Sequence, residues 1–436
     1  MTRPIRTSGA RPYDVSVTTT TDRPGQRPDG LRGLLRGGAG IAIAMAVMNM
    51  STYGFQVIAA RQLGPTEYGA VASLMALLMV LAVVQLGLQA TAARRISSTP
   101  EHVGQIERTI MATTYRAALV VGAGVLVAAP LVHRVLRLDS VWPAVLIALA
   151  AVPLTIQGGQ AGILQGERRW VPLGLVYLGV GVPRLAIGTL CIVIAPSETS
   201  AMLGVLIGLL VPVAVGWVAL RRPREPGEHS PEHAGRAVVR ETFHASMALL
   251  AFYVLSNIDI IVARTTLDSH DAGLYAGGLI LTKATLFLPQ FVVVVAFPAM
   301  ATVRARRTTL LRSLALVLVL GVCTVLGVLA LPDLAMIFVG GHEYDEVSSL
   351  LWLFAGLGTV LSMLQLLVYS VLARQGTRTA YLIWAAVVVL VTIGALVGSV
   401  GGLLVTVILV DVVLLSLLLA LSLWRMNRLE LAPAAA

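Results

Sequence analysis

The chain has 436 residues, 57% of them hydrophobic and only 12% charged, with a mean hydropathy of +0.85. A soluble globular protein carries about 25% charged residues, so this composition excludes a cytosolic enzyme, a secreted disulfide scaffold and a DNA-binding domain. The net charge of +10 does not signal nucleic acid, because the arginines are spread over alternate short loops instead of forming one basic face with aromatic platforms.

Residues 1–37 are polar, basic and rich in Pro, Gly and Thr. They read as a disordered cytoplasmic tail and not as a signal peptide, since no short apolar core precedes a cleavage-like site. Twelve apolar stretches follow, at 38–60, 70–93, 113–132, 141–165, 171–195, 201–220, 244–263, 274–299, 313–332, 346–373, 379–400 and 403–424. Each is long enough to cross the ~30 Å hydrocarbon layer as a helix, and none shows the alternation of a barrel strand. The expected fold is an all-α polytopic membrane protein. Cys191 and Cys323 both fall inside apolar stretches and read as small packing residues.

Of the 32 basic residues, 25 lie in alternate connections that include both ends of the chain, whereas the opposite connections hold only Arg61, Arg134, Arg137 and Arg264. Basic residues concentrate on the cytoplasmic side, so both termini are expected in the cytoplasm. The longest outward connection, 333–345, has 13 residues, and its acids Asp333, Glu343 and Asp345, with Glu346, read as a solvated rim. The organisation is thus a six-helix lobe at 38–220, a cytoplasmic linker at 221–243, a second lobe at 244–424 and a short tail at 425–436.

The lobes look related. Ala60-Arg61-Gln-Leu-Gly-Pro-Thr-Glu-Tyr-Gly69 joins the first two spans, and Ala263-Arg264-Thr-Thr-Leu-Asp-Ser-His-Asp-Ala-Gly273 joins the seventh and eighth. Six spans separate them, so the halves insert the same way up. Parallel repeats of this kind place a substrate site at the interface between halves, near the bilayer midplane.

Arg61-Gln-Leu-Gly-Pro-Thr-Glu-Tyr-Gly69, together with Asn257-Ile-Asp259 and Gly273-Leu-Tyr275, resembles the signature of the Wzx-type lipid-linked oligosaccharide flippases. These belong to the multidrug/oligosaccharidyl-lipid/polysaccharide exporter superfamily. The resemblance implies two six-helix lobes around a central cavity that opens alternately to each side, and a polyprenyl-pyrophosphate-linked glycan as cargo. Lipid II flippases of the superfamily carry two further helices, which weakens a specific peptidoglycan-precursor reading. Other implied partners are membrane lipids and neighbouring glycosyltransferases or a polymerase, around a monomer. The alternatives are an ion-coupled small-molecule or multidrug exporter and, less favoured, a membrane glycan polymerase or transferase.

A charge inside the hydrocarbon layer costs roughly 2.5–3.5 kcal/mol on insertion scales, so it marks a cavity or a partner. Arg184 lies about 20 Å into its span, where its guanidinium either grips a pyrophosphate bidentately or pairs with Asp411. Lys283 is placed to reach outward to Asp259 as a buried ion pair, or to bind an anion. Asp259 and Asp411 are the ion-coupling candidates. Arg61 and Arg264 either cap helix C-termini or gate a sugar phosphate. Gln85, Gln157, Gln290 and Asn257, with Asn49, Gln89, Gln160, Gln165 and Gln365, supply amides for sugar hydroxyls or for interhelical hydrogen bonds. No catalytic residue and no cofactor is expected. His229-Ser-Pro-Glu-His233 has metalloprotease-like spacing, but Pro231 forbids the required helix, so no metal is expected either.

Overall fold

The structure is a computed structural model that describes residues 38–222, 235–286, 306–372 and 377–431. The basic tail, residues 223–234 of the expected linker with His229 and His233, the far part of the 274–299 span with Gln290, and residues 432–436 lie outside the described residues.

Long runs of Ala, Val, Leu and Gly satisfy their backbone polar groups within a helix, as lipid requires, and the described residues contain no strand. The helices are α1 (Gly38–Ser98), α2 (Val103–Val135), α3 (Trp142–Gly166), α4 (Trp170–Ile194), α5 (Glu198–Leu220), α6 (Gly235–Thr266), α7 (Ser269–Thr285), α8 (Arg306–Ala330), α9 (Pro332–Val339), α10 (Leu351–Leu372), α11 (Thr377–Gly394) and α12 (Val400–Leu431). Nine helices among the described residues are long and apolar enough to cross a membrane, and Ala380–Gly394 adds a shorter apolar one.

The 61 residues of α1 would measure roughly 90 Å if straight, about three times the hydrocarbon layer. The helix is broken at Gly64, whose φ of 70° and ψ of 174° leave the helical region just before Pro65. α1 therefore supplies two spans, and the described helices form two lobes, α1–α5 and α6–α12, each with six apolar helical arms once α9, too short to cross, is set aside. Segment 61–69 is not the loop that the sequence predicts. It is helical on both sides of a single glycine, because a positive φ costs Gly nothing and Pro is well tolerated at the first position of a new helix. The connection 333–345 is likewise more ordered than expected: it folds as α9 and a 3₁₀ segment, His342–Leu350.

Small residues set the helix spacing, as they must where lipid removes any hydrophobic gain from helix association. A Cβ added at Gly204 of α5 would lie 2.5 Å from the Cα of Gly188 on α4, and one at Gly208 would lie 3.0 Å from the Cα of Arg184. The Gly204 and Gly208 pair therefore packs within the chain. In the second lobe, Gly277 and Gly278 of α7 accommodate the rings of Tyr344 and Phe354, and Thr282 Oγ1 donates to the Phe354 carbonyl at 2.8 Å.

The lobes meet where α1 packs against α6 and α7. The two glycines that close the repeated segments touch: a Cβ at Gly69 would sit 3.0 Å from the Cα of Gly273. A Cβ at Gly273 would in turn collide with the Pro65 carbonyl. Gly273→Val is expected to cost about 1–3 kcal/mol through overpacking and to reduce the monodisperse protein recovered in detergent by more than half. Gly124→Ala, at a helix site with nothing within 4 Å, should leave recovery unchanged in the same size-exclusion assay.

Candidate functional site: a central cavity between the lobes

Between the lobes lies a cavity of about 180 Å³. The first arm of α1 contributes Asn49, Thr52 and Gln56 to its wall, and the second arm contributes Tyr68, Met75 and Met79. From the other lobe come Ser256 and Asn257 of α6, Lys283 of α7 and Gln365 of α10. Apolar and amide side chains dominate. Among the described residues that line it, Lys283 is the one ion and no carboxylate is present.

Lys283 is fixed by two acceptors one helix over, donating to the Ser256 carbonyl at 2.8 Å and to Asn257 Oδ1 at 2.9 Å. Asn257 is itself held, its amide nitrogen donating to the Tyr253 carbonyl at 2.8 Å. The expected Lys283–Asp259 contact pair is not formed. The ammonium turns to the helix turn before Asp259, where a carbonyl and an amide oxygen offer two acceptors at once.

Asp259 instead accepts from the Tyr275 hydroxyl at 3.1 Å, and its other oxygen has no donor. Asp411 of α12 is wholly buried with neither carboxylate oxygen hydrogen-bonded. It lies within electrostatic reach of Asp259. The two acids and Tyr275 form one buried group in the second lobe, beside the cavity and not in its wall. Arg184 is also buried, with its Nε unpaired, but it neither lines the cavity nor contacts Asp411. The expected Arg184–Asp411 pair does not exist, because Asp411 lies near Asp259 and Tyr275 of its own lobe. Gln85 and Gln157 do not line the cavity either. Gln56, Tyr68 and Ser256 do, and the sequence reading missed them: hydroxyls and a single amide in an apolar span carry no signal of which way they face.

On the side opposite the arginine-rich loops, here the far side, hydrogen bonds tie the two lobes together. Arg264, at the end of α6, donates to the carbonyls of Leu136 at 3.0 Å and Arg137 at 2.9 Å, where α2 ends. Arg137 returns the contact, donating to the Thr265 and Leu267 carbonyls at 2.8 Å each, where α6 ends. Each lobe thus caps a helix C-terminus of the other, with the cation at the negative end of the dipole. Arg137 holds this position at a φ of 50°, a left-handed conformation usually given to Gly after a helix.

α9 and its 3₁₀ extension cover the break in α1. Arg61 donates to the Ile337 carbonyl, the Tyr53 hydroxyl to that of Phe338 at 3.2 Å, and the buried Tyr344 hydroxyl to that of Ala60 at 3.3 Å. Arg61 and Arg264 both bind main-chain carbonyls of the opposite lobe. On the basic side, Arg94 and Arg95 at the end of α1 hold Glu241 of α6.

Two lobes of apolar helices around a cavity define a multi-pass membrane protein. The chain belongs to the polysaccharide biosynthesis protein family, whose model matches residues 34–304. Curated protein sequences hold no significant match. Among solved structures, an inward-facing multidrug resistance MATE family transporter of the MOP superfamily aligns with a TM-score of 0.69 at 14% identity, covering 90% of this chain and 100% of that one. Lipid II flippase MurJ in an inward closed conformation gives 0.68 at 13% identity, over 87% and 86%. An outward-facing MATE transporter gives 0.61 at 16% identity, over 92% and 98%.

Each charge-assisted hydrogen bond contributes about 1.5–3 kcal/mol, so losing the Arg264 contacts is enough to shift an opening equilibrium by tenfold or more. Ala276 lines the cavity and is buried. With Cys191 and Cys323 replaced, Ala276→Cys should react about tenfold faster with an impermeant thiol reagent from the far side once Arg264→Ala is added. Equal rates would show that the arginine does not hold this side shut.

Proposed function

We propose that the protein carries a lipid-linked saccharide across the cytoplasmic membrane by alternating access, with its basic side facing the cytoplasm. The observation that supports this most is the lining of the cavity: one cation, several neutral amides and hydroxyls, a large apolar remainder and no carboxylate among its described residues. A polyprenyl-pyrophosphate-linked glycan needs each of these. The ammonium of Lys283 meets the pyrophosphate charge, amides such as Gln56 and Gln365 suit sugar hydroxyls, and Met75 and Met79 offer an adaptable apolar surface to the lipid. The family assignment agrees with this cargo. A cationic drug would favour acids beside aromatic faces; the cavity offers the rings of Phe55, Tyr68, Phe252 and Tyr253 but no acid among its described lining residues, which makes the multidrug reading the second choice.

Cells lacking the protein should accumulate lipid-linked glycan in the inner leaflet, and the wild-type gene should clear it. Lys283→Met should lower flipping at least tenfold with normal protein abundance, while Lys283→Arg should keep part of it, since the positive charge persists. A Lys283→Met variant that transports normally would remove the lysine from substrate binding.

Asp259, Asp411 and Tyr275 are the group we assign to binding the driving ion. Three carboxylate oxygens lack donors there, and acids inside a membrane mark proton or ion pathways. A proton or a small cation bound to this pair would change how α12 packs on α6 and α7. Transport by the wild type should fall when an ionophore collapses the gradient. Asp411→Asn should be slow and insensitive to the ionophore, as measured by the leaflet distribution of labelled substrate in vesicles.

A further inference from the structure

A second cavity, of about 200 Å³, lies in the first lobe between α2, α3 and the basic-side end of α5. It shares no lining residue with the central one. Three features point to a ligand. Arg221, just past the end of α5, holds its guanidinium 3.3 Å above the ring centroid of Trp217. A guanidinium stacked in this way keeps its in-plane N–H groups free to meet an anion. Tyr115 and Trp217 on the walls are 44% and 50% exposed, at the level where aromatic side chains mark the membrane–water interface.

The third feature lies on the cavity floor. Gln160 is 1% exposed; its amide nitrogen donates to the Val213 carbonyl at 3.2 Å, but its Oε1 has no donor. The room for that amide is made by Gly216, where any Cβ would collide with it. A buried amide oxygen in an aromatic-walled site is a waiting acceptor, and the Glu107 carboxylate lies on the same cavity.

The geometry points to a bound phospholipid of the basic-side leaflet whose headgroup carries a primary ammonium. Its phosphate would meet Arg221, its ammonium would donate to Gln160 Oε1 near Glu107, and its acyl chains would run along the exposed faces of Tyr115 and Trp217. A trimethylated headgroup has no N–H to donate and would leave Gln160 unpaired. Thus the first lobe reads the lipid around it through a pocket independent of the transported cargo.

Short-chain phosphatidylethanolamine and phosphatidylcholine, titrated against the purified full chain in detergent with native mass spectrometry as the readout, test this. The ethanolamine lipid should bind about tenfold tighter. Arg221→Ala, an exposed site, should weaken both lipids, and Gln160→Leu should remove the preference between them. Equal binding of the two lipids by the wild type would overturn the assignment, as would an undiminished ethanolamine preference in Gln160→Leu or unchanged binding in Arg221→Ala. If Gln160→Leu is not recovered, the wild-type preference and Arg221→Ala decide. Because the readout is binding by the purified protein, these results stand apart from whether the central cavity carries a glycan.

Discussion

Helix ends leave carbonyls without partners, and at the far side of this protein those carbonyls hold the two lobes together. Arg264 reaches from the end of α6 to the end of α2, and Arg137 reaches back. The exchange is reciprocal, so neither lobe can tilt away without stripping acceptors from both arginines and leaving two helix termini uncapped. The contact of Gly69 with Gly273 lies beside it and lets the main chains come close enough for the arginines to span the gap. This junction ties the lobes at the far end of the space between α1, α6, α7 and α10.

Inside the cavity the chemistry divides by position. The cation is in the wall and the acids are behind it. Lys283 meets the cavity while tethered to Asn257 and the Ser256 carbonyl, neutral groups that orient the ammonium without cancelling its charge. Had it paired with Asp259, the wall would have been neutral and the acid spent. The separation leaves an anion-attracting surface on one side of α6 and α7 and an acid pair near α12 on the other. Movement of those same helices is a direct route by which occupancy of one group can influence the other.

Much of the fold is legible in the sequence, since span length and the alternation of arginine between connections are bulk properties of the chain. The repeat is also legible: the two segments that correspond at Arg61 and Arg264, and at Gly69 and Gly273, both lie at the lobe interface. What the sequence does not carry is rotation about a helix axis. The helices that carry Gln56 and Arg184 have little amphipathic bias, so Arg184 near the midplane is indistinguishable in sequence from a cavity residue, and Gln56 gives no sign of facing inward. Nor does periodicity tell a two-turn helix such as α9 from a loop. Its eight residues are too few for a pattern, and its role depends on tertiary contacts from Tyr53 and Arg61.

The arginine exchange uses main-chain oxygens as acceptors, and every amino acid presents the same carbonyl. Side chains at 136, 265 and 267 can therefore drift without weakening the junction, provided the helices end where they do. A pair of arginines and acids doing the same work would need two positions to be held at each contact, and a change in either would leave a stranded charge. Here each contact is vulnerable at one position only. The far-side surface, which meets whatever the surroundings present, is thereby free to vary in sequence while the mechanical hold between the lobes stays the same.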